Sequence, residues 1–547
     1  MSLTKVTYSM IAGAPVNVQD YGAVGDGVAD DTAAIQLALN SGAKEVVGIA
    51  GNTYRVSSTF TYVSGGVTEN VALNLPQGVT FNGNGCKFVY TGSGSDTVLN
   101  QFWFFANDTV QATFDGYQVC NTVFENDGTA GSYVSGVAVY GGDNTKASGW
   151  LKRVNIFNIH NINIRVGVKC YMDRPDTVLP IDNVNIYNIT AQQTSSAVIA
   201  LDGVSNVVID NINAIESDFD IVMLYAGKNV VISNIVGSNI TENIIGLESA
   251  FDAREIQNVS ISNVSSDSGK LSISTGAGTT GFIRDVTYSS VNAPTFSIDN
   301  SVGGGTVSRV KASLNLKPSG VSRGVFISKA SDIDLDVDVL GSVTVAGVGL
   351  VNTDRIKING KINITGSAFP GLSLDRARLT TGKVAVYGGS EALYLIGVAG
   401  TMGGVDLELD CSGQTIAAIA GDGTTSATHK VNIKGNYGAQ AITYVTAQNS
   451  SIALEQGQGA TKTIASGSIL VSSQIHSVTS ESGVTDNLDS LTGNQFGRSV
   501  QLFATSGHTI TVTHAVGNIR TKTGSSVTMT NTVPITLMFN GVNWCQV

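Results

Sequence analysis

The chain has 547 residues, with 42 acidic against 31 basic side chains and a formal charge of −11. That balance excludes nucleic acid and anionic membrane surfaces as partners, because both select a basic face. The 42% apolar content excludes a disordered chain. Only 13% of residues are charged, while 63 are glycine and 8 proline. Such a chain points to one long β architecture rather than the several globular domains that its length alone suggests.

Residues 1–15 form a leader that carries Lys5 but no sustained apolar run, so no secretory signal is read there. No apolar stretch approaches the ~20 residues of a membrane span. The five cysteines, Cys86, Cys120, Cys170, Cys411 and Cys545, are scattered and never spaced C-x-x-C. Neither a disulfide framework nor a zinc site follows from them. Synthesis in a reducing cytosol is expected, with no cofactor, no metal and no membrane insertion.

Residues 16–60 read as a cap. A turn-rich segment, VNVQDYGAVGDG, precedes a helix expected at about 30–41. The helix has an Asp N-cap, apolar residues at Ile35, Leu37, Ala38 and Leu39, and Gly42 just beyond its end. Turn formation and capping account for Asp20, Asp26, Asp30 and Asp31, so no chemistry is assigned to them. One amphipathic helix at this place would cover the open edge of a first coil.

Residues 61–448 read as a parallel β-helix, irregular at first and regular from 153 to 448. Copies of one pattern begin at Arg153 (RVNIFNI), Asn183 (NVNIYNI), Asn206 (NVVIDNI), Asn229 (NVVISNI) and Asn258 (NVSISNV). Weaker copies continue to Lys430 (KVNIKGN), at a mean period of about 25 residues. Strict alternation is strand periodicity, and the Asn and Gly clusters turn the chain. A second strand follows in AVIAL, DIVML and NIIGL. A β-only unit of this length is one coil of a parallel β-solenoid. Asn158, Asn188, Asn211, Asn234 and Asn263 hold the same offset in five consecutive units. Their amides are placed to bond along the stack, and Asn accepts a left-handed turn.

After residue 448 the repeat fades. Residues 449–496 are expected to be a linker or trunk. Residues 497–547 are expected to be a compact antiparallel β module serving trimerisation or receptor contact.

The segment at 16–27, followed by Asp30, Asp31 and the helix, resembles the N-terminal motif of pectate-lyase-like right-handed parallel β-helix proteins. The leader VTYSMIAGAPVNV and the C-terminal run beginning GRSVQLFA resemble bacteriophage tailspikes and tail-fibre depolymerases. The resemblance implies a homotrimer in a virion tail, joined to the phage baseplate or tail through its N-terminus. It also implies binding and cleavage of a bacterial capsular or lipopolysaccharide glycan. Such spikes carry a long N-terminal attachment domain that these 547 residues do not include, so attachment through the short leader is the expectation. The string Asn352-Thr353-Asp354-Arg355-Ile356-Lys357 joins two polygalacturonase-like motifs that belong on separate coils. It reads as a turn and a strand start.

Hydrolysis of a glycosidic bond needs two carboxyl groups, about 5 Å apart for retention and about 6.5–9.5 Å for inversion. Equivalent positions on adjacent coils lie ~4.8 Å apart, and on alternate coils ~9.6 Å. Aligning the second strands sets Cys170, Leu201, Leu224 and Leu247 inward. The next, outward position reads Tyr171, Asp202, Tyr225, Glu248. Asp202 and Glu248 are thus the expected catalytic pair, two coils apart, with Tyr225 between them. Asp218, Asp220 and Glu242 gather at the turn leading into these strands and are further catalytic candidates. Tyr225, Tyr171, Asp173, Arg174, Arg165, Asp252 and Arg254 are expected to bind substrate. Two alternatives stand beside hydrolysis. One is β-elimination using bases and cations such as His160, Lys169, Arg165 or Tyr225. The other is a non-catalytic receptor-binding spike.

Overall fold

The computed structural model describes residues 14–547 except 58–59, 65–66, 92–100, 107–113, 128–133, 142–149, 173–178, 250–253, 277–279, 303, 366–367, 397–403, 416, 422–428, 437–439, 444–450, 455–458, 472–474 and 494–497. Alternation along each repeat produces a parallel β-solenoid of about 16 turns, followed by a C-terminal module with antiparallel strands. The long strands Ile181–Thr194, Val204–Ser217, Gly227–Ile240 and Glu255–Ser266 pair in parallel and in register. Register stacks Ile186, Ile209, Ile232 and Ile261 inside, all fully buried. A one-residue slip would turn this stack out to water, so the apolar pattern alone fixes the pairing.

Each long strand is bent at left-handed residues. The expected column Asn158, Asn188, Asn211, Asn234 and Asn263 has φ of 54°, 55°, 57°, 55° and 54°. Hydrogen bonds run along it from Asn158 Nδ2 to Asn121 Oδ1 (2.7 Å), from Asn188 Nδ2 to Asn158 Oδ1 (2.9 Å) and from Asn211 Nδ2 to Asn188 Oδ1 (2.7 Å). The ladder breaks once. Asn234 Nδ2 donates instead to the Asp210 carboxylate at 2.7 Å, a charged and therefore stronger acceptor. Upstream it extends past the sequence repeat, through Asn121 to Asn82. A second left-handed column holds Asn183, Asn206, Asn229 and Asn258, and a third holds Asn163, Gln193, Glu216 and Asn239. Asn188→Ala is expected to cost about 1–2 kcal/mol, since a Cβ-bearing residue without a local polar side chain disfavours this turn. Asn188→Gly relieves the backbone and should lose less. Thermal melts of the two variants check the order.

The N-terminal helix spans Thr32–Leu39, about two residues shorter at each end than expected. Ile35, Ala38 and Leu39 are buried, while Leu37 is 60% exposed and lies off the apolar face. Asp31 does not cap the helix with its side chain. It accepts from Val24 N (2.6 Å) and Gly25 N (3.1 Å), tying down the preceding turn, while Asp30 Oδ1 accepts from Thr32 N (3.0 Å).

Contacts divide the chain into two units, residues up to 317 with 326–334, and 318–325 with 335–547. In the second unit parallel pairing joins Asp354–Thr365, Arg378–Tyr387, Val405–Ser412 and His429–Asn436. Asn352 and Arg355 are left-handed, at 50° and 54°, and Arg355 pairs with its neighbour Asp354 at the start of a strand. The C-terminal module has its own core, including Ile464, Val478, Leu488, Val500, Ile510, Leu537 and Trp544. Ser499–Ala504 pairs antiparallel with Ile535–Phe539, but parallel with Ile475–Thr479. Part of the stretch 449–496, expected as a linker or trunk, contributes to this core. Its Ile464, Ile469, Val471, Leu488 and Leu491 are buried in this core, and the polar residues around them hide the alternation.

Candidate functional site

The short strands Val166–Tyr171, Ile199–Leu201, Val222–Leu224 and Asn243–Ser249 form the other face of the coils in the first unit. Parallel register aligns Cys170, Leu201, Leu224 and Leu247, each nearly or fully buried. Backbone bonds from Asp202 N to Cys170 O (2.9 Å) and from Tyr225 N to Leu201 O (2.8 Å) continue the ladder. Tyr171, Asp202, Tyr225 and Glu248 consequently lie side by side on successive coils. Tyr140 extends this row on one side and Ser274 on the other.

The row is not uniformly open. Asp202 is 8% exposed and forms an ion pair with Arg254, itself 4% exposed. Asp202 Oδ1 is buried without a hydrogen-bond partner among the described residues. Burial pushes the Asp202 carboxyl up to about 6, against the pull of Arg254 and Lys169. Asp202 and Arg254 thus face each other across two coils. The side chain of Arg254, which precedes the strand Glu255–Ser266, reaches back across two coils to make this pair. Tyr171 is also covered. Its ring packs on Tyr140 at 5.1 Å between centroids, with Lys169 Nζ 4.1 Å over it.

Two further carboxylates lie around Tyr225. Asp220 Oδ1 accepts from Asn243 N (3.1 Å) and Asn243 Nδ2 (2.6 Å), and both residues are largely buried. Burial pushes Asp220 up to about 6, and the fields of Glu242 and Glu248 act in the same direction. Glu248 is half-buried, and burial raises its proton affinity as well. Tyr225, also half-buried, is pushed up to about 12 by burial and then by Glu248, Asp220 and Asp202, while Arg165 pulls the other way. Its phenol therefore keeps its proton near neutral pH and acts as a hydrogen-bond donor rather than a base.

Among the other expected site residues, Asp218 and Glu242 are exposed at the turn, and Arg165 is half-exposed. Asp173, Arg174 and Asp252 lie outside the described residues. Asn243 was missed, although the alignment that sets Tyr225 beside Glu248 also sets Asp220 beside Asn243. Among the described residues no group of three or more His, Cys, Asp or Glu side chains is arranged to hold a metal ion.

No curated protein sequence matches the chain. Among solved structures, it is similar to the mannuronan C-5 epimerase A-module of Azotobacter vinelandii, with 13% identity over 81% of this chain and 99% of that one and a TM-score of 0.32. It is similar also to the tailspike protein of E. coli bacteriophage HK620 in complex with a pentasaccharide, with 11% identity over 82% and 84% of the two chains and a TM-score of 0.37. Residues 15–248, which carry the cap and the carboxylate-bearing coils through Glu248, match the family model described as rhamnogalacturonase A/epimerase, pectate lyase-like.

Proposed function

We propose that the chain is a polysaccharide-acting enzyme that hydrolyses a glycosidic bond on the face formed by Asp220, Tyr225 and Glu248. One observation carries this reading: two carboxyl groups of raised proton affinity lie on adjacent coils, Glu248 acts on Asp220, and both act on one half-buried tyrosine. Glycoside hydrolysis requires one carboxyl to hold a proton while the other is ionised. Asp220, whose proton affinity burial and the fields of Glu242 and Glu248 raise against the two Asn243 donors, is the group that retains the proton, and it serves as general acid. Glu248, more open, serves as the ionised base or nucleophile. Tyr225 donates a hydrogen bond to the sugar between them. Asp202, held by Arg254, positions the row and does not touch the substrate.

In its finer form the reading is a homotrimeric tailspike in a virion tail, attached through its N-terminal leader, whose substrate is a capsule or O-antigen. The leader and the C-terminal run beginning GRSVQLFA support it. The test is incubation with capsules and O-antigens from a panel of bacterial strains. New reducing ends without the ultraviolet absorbance of an unsaturated uronate are expected. That absorbance would instead mean elimination. Glycan that is bound but never shortened would retire the enzymatic reading in favour of a receptor-binding spike. The mass of the particle in solution tests the trimer.

A further inference from the structure

A groove of about 550 Å³ runs along the Asn ladder, on the long strands rather than the short ones that carry the carboxylates. Asn82, Asn121, Asn158 and Asn188, from four neighbouring coils, line it together with His160 and Thr190. At ~4.8 Å per coil these amides span roughly 14 Å. No Asp, Glu, Lys or Arg is in the lining.

The ladder leaves part of its hydrogen-bonding capacity unused. A primary amide offers two N–H donors and two acceptor lone pairs. Asn158 spends one donor on Asn121 (2.7 Å) and one lone pair on Asn188 (2.9 Å). Asn188 spends one donor on Asn158 and one lone pair on Asn211 (2.7 Å). Both side chains are exposed, so one donor and one acceptor of Asn158 and of Asn188 stay available to solvent or a ligand. The exposed Thr190 hydroxyl and the His160 ring, which contact each other, add further polar teeth. Phe157 and Tyr187 come immediately before Asn158 and Asn188 on the same two coils. Their rings stack at 4.8 Å and 2°, and both are half-exposed.

The uncharged comb of donors and acceptors, with this stack adjoining it outside the groove lining, suits the hydroxyls and C–H faces of sugars. We infer that this groove is a second glycan-binding site, one that takes an uncharged oligosaccharide and does not cleave it. It holds no carboxyl group to act as acid or base. A repeating polymer engaged here and on the carboxylate face at once would be retained far longer than by either site alone.

The test is affinity electrophoresis of the full chain in gels containing dextran or O-antigens free of acidic sugars. The wild type is expected to be retarded by at least one neutral glycan. Thr190→Arg fills the groove from an exposed position, and Tyr187→Ala removes half of the stack. Each should weaken binding roughly tenfold, which corresponds to about 1.4 kcal/mol. Asp220→Asn, on the other face, should leave this retardation unchanged, so a failure of the hydrolytic reading does not affect the result. Retardation by none of the neutral glycans, or retardation undiminished in both groove variants, would overturn the inference.

Discussion

Asp220→Asn and Glu248→Gln should each lower glycan cleavage by about two to four powers of ten, the range for removing a positioned acid or base. Both replacements keep the side-chain shape, and Asn at 220 still offers Oδ1 to Asn243. Binding should therefore survive, and the loss should fall on kcat rather than KM. The Asp220 replacement has a second consequence, in stability. In the folded chain this carboxyl is raised from 3.8 to about 6, chiefly by burial. The folded state thus holds a proton that the unfolded state has already released. This contribution is fully present below the unfolded value and is lost as pH rises through about 6. Its size is as much as about 3 kcal/mol, at 1.36 kcal/mol per unit. Asp220→Asn removes the ionisation, so the variant should melt above the wild type in mildly alkaline buffer and approach it in acid. Full activity in either replacement would dismiss the acid–base assignment. A lower alkaline melting point for Asp220→Asn would contradict the burial argument.

The row that bears this chemistry was readable because it inherits the period of the core. Cys170, Leu201, Leu224 and Leu247 must stack inward, and the residue after each of them must then share one outward column. What the pattern does not carry is how each outward residue is covered. Asp202 is buried by Arg254, 52 residues later and at a position with no counterpart in the repeat. Periodicity places Asp202 and Glu248 as equivalents, whereas one long side chain makes them different. The left-handed bends show the same limit. Columns occupied by Asn were evident, while Gln193, Glu216 and Arg153 make the same turn without an Asn to mark it. In the C-terminal module the buried residues alternate only across short strands joined by Gly, Ser and Thr, too few per strand to stand out as a period.

The buried pair has unequal partners, and this gives the second large effect. Asp202→Ala is expected to destabilise the first unit by as much as about 3–5 kcal/mol, because the buried, charged Arg254 loses the carboxylate it pairs with. Arginine has no means of escape, since its guanidinium stays protonated in any folded protein. Arg254→Ala removes the cation beside Asp202 instead, but a buried carboxyl can take up a proton. Its proton affinity, already raised by burial, rises further once the cation is gone. Arg254→Ala should therefore cost less than Asp202→Ala. Its cost should also shrink as pH falls toward the raised value, where the carboxyl becomes neutral. Replacing both residues with apolar side chains removes both desolvated charges, and should recover most of the loss. Denaturation of the two single variants and the double variant, in mildly acidic and mildly alkaline buffer, separates these cases. If Asp202→Ala unfolds within about 1 kcal/mol of the wild type, as loss of a merely exposed ion pair would allow, the pair does not organise this face. The row around Tyr225 would then have to be held by the coil register alone.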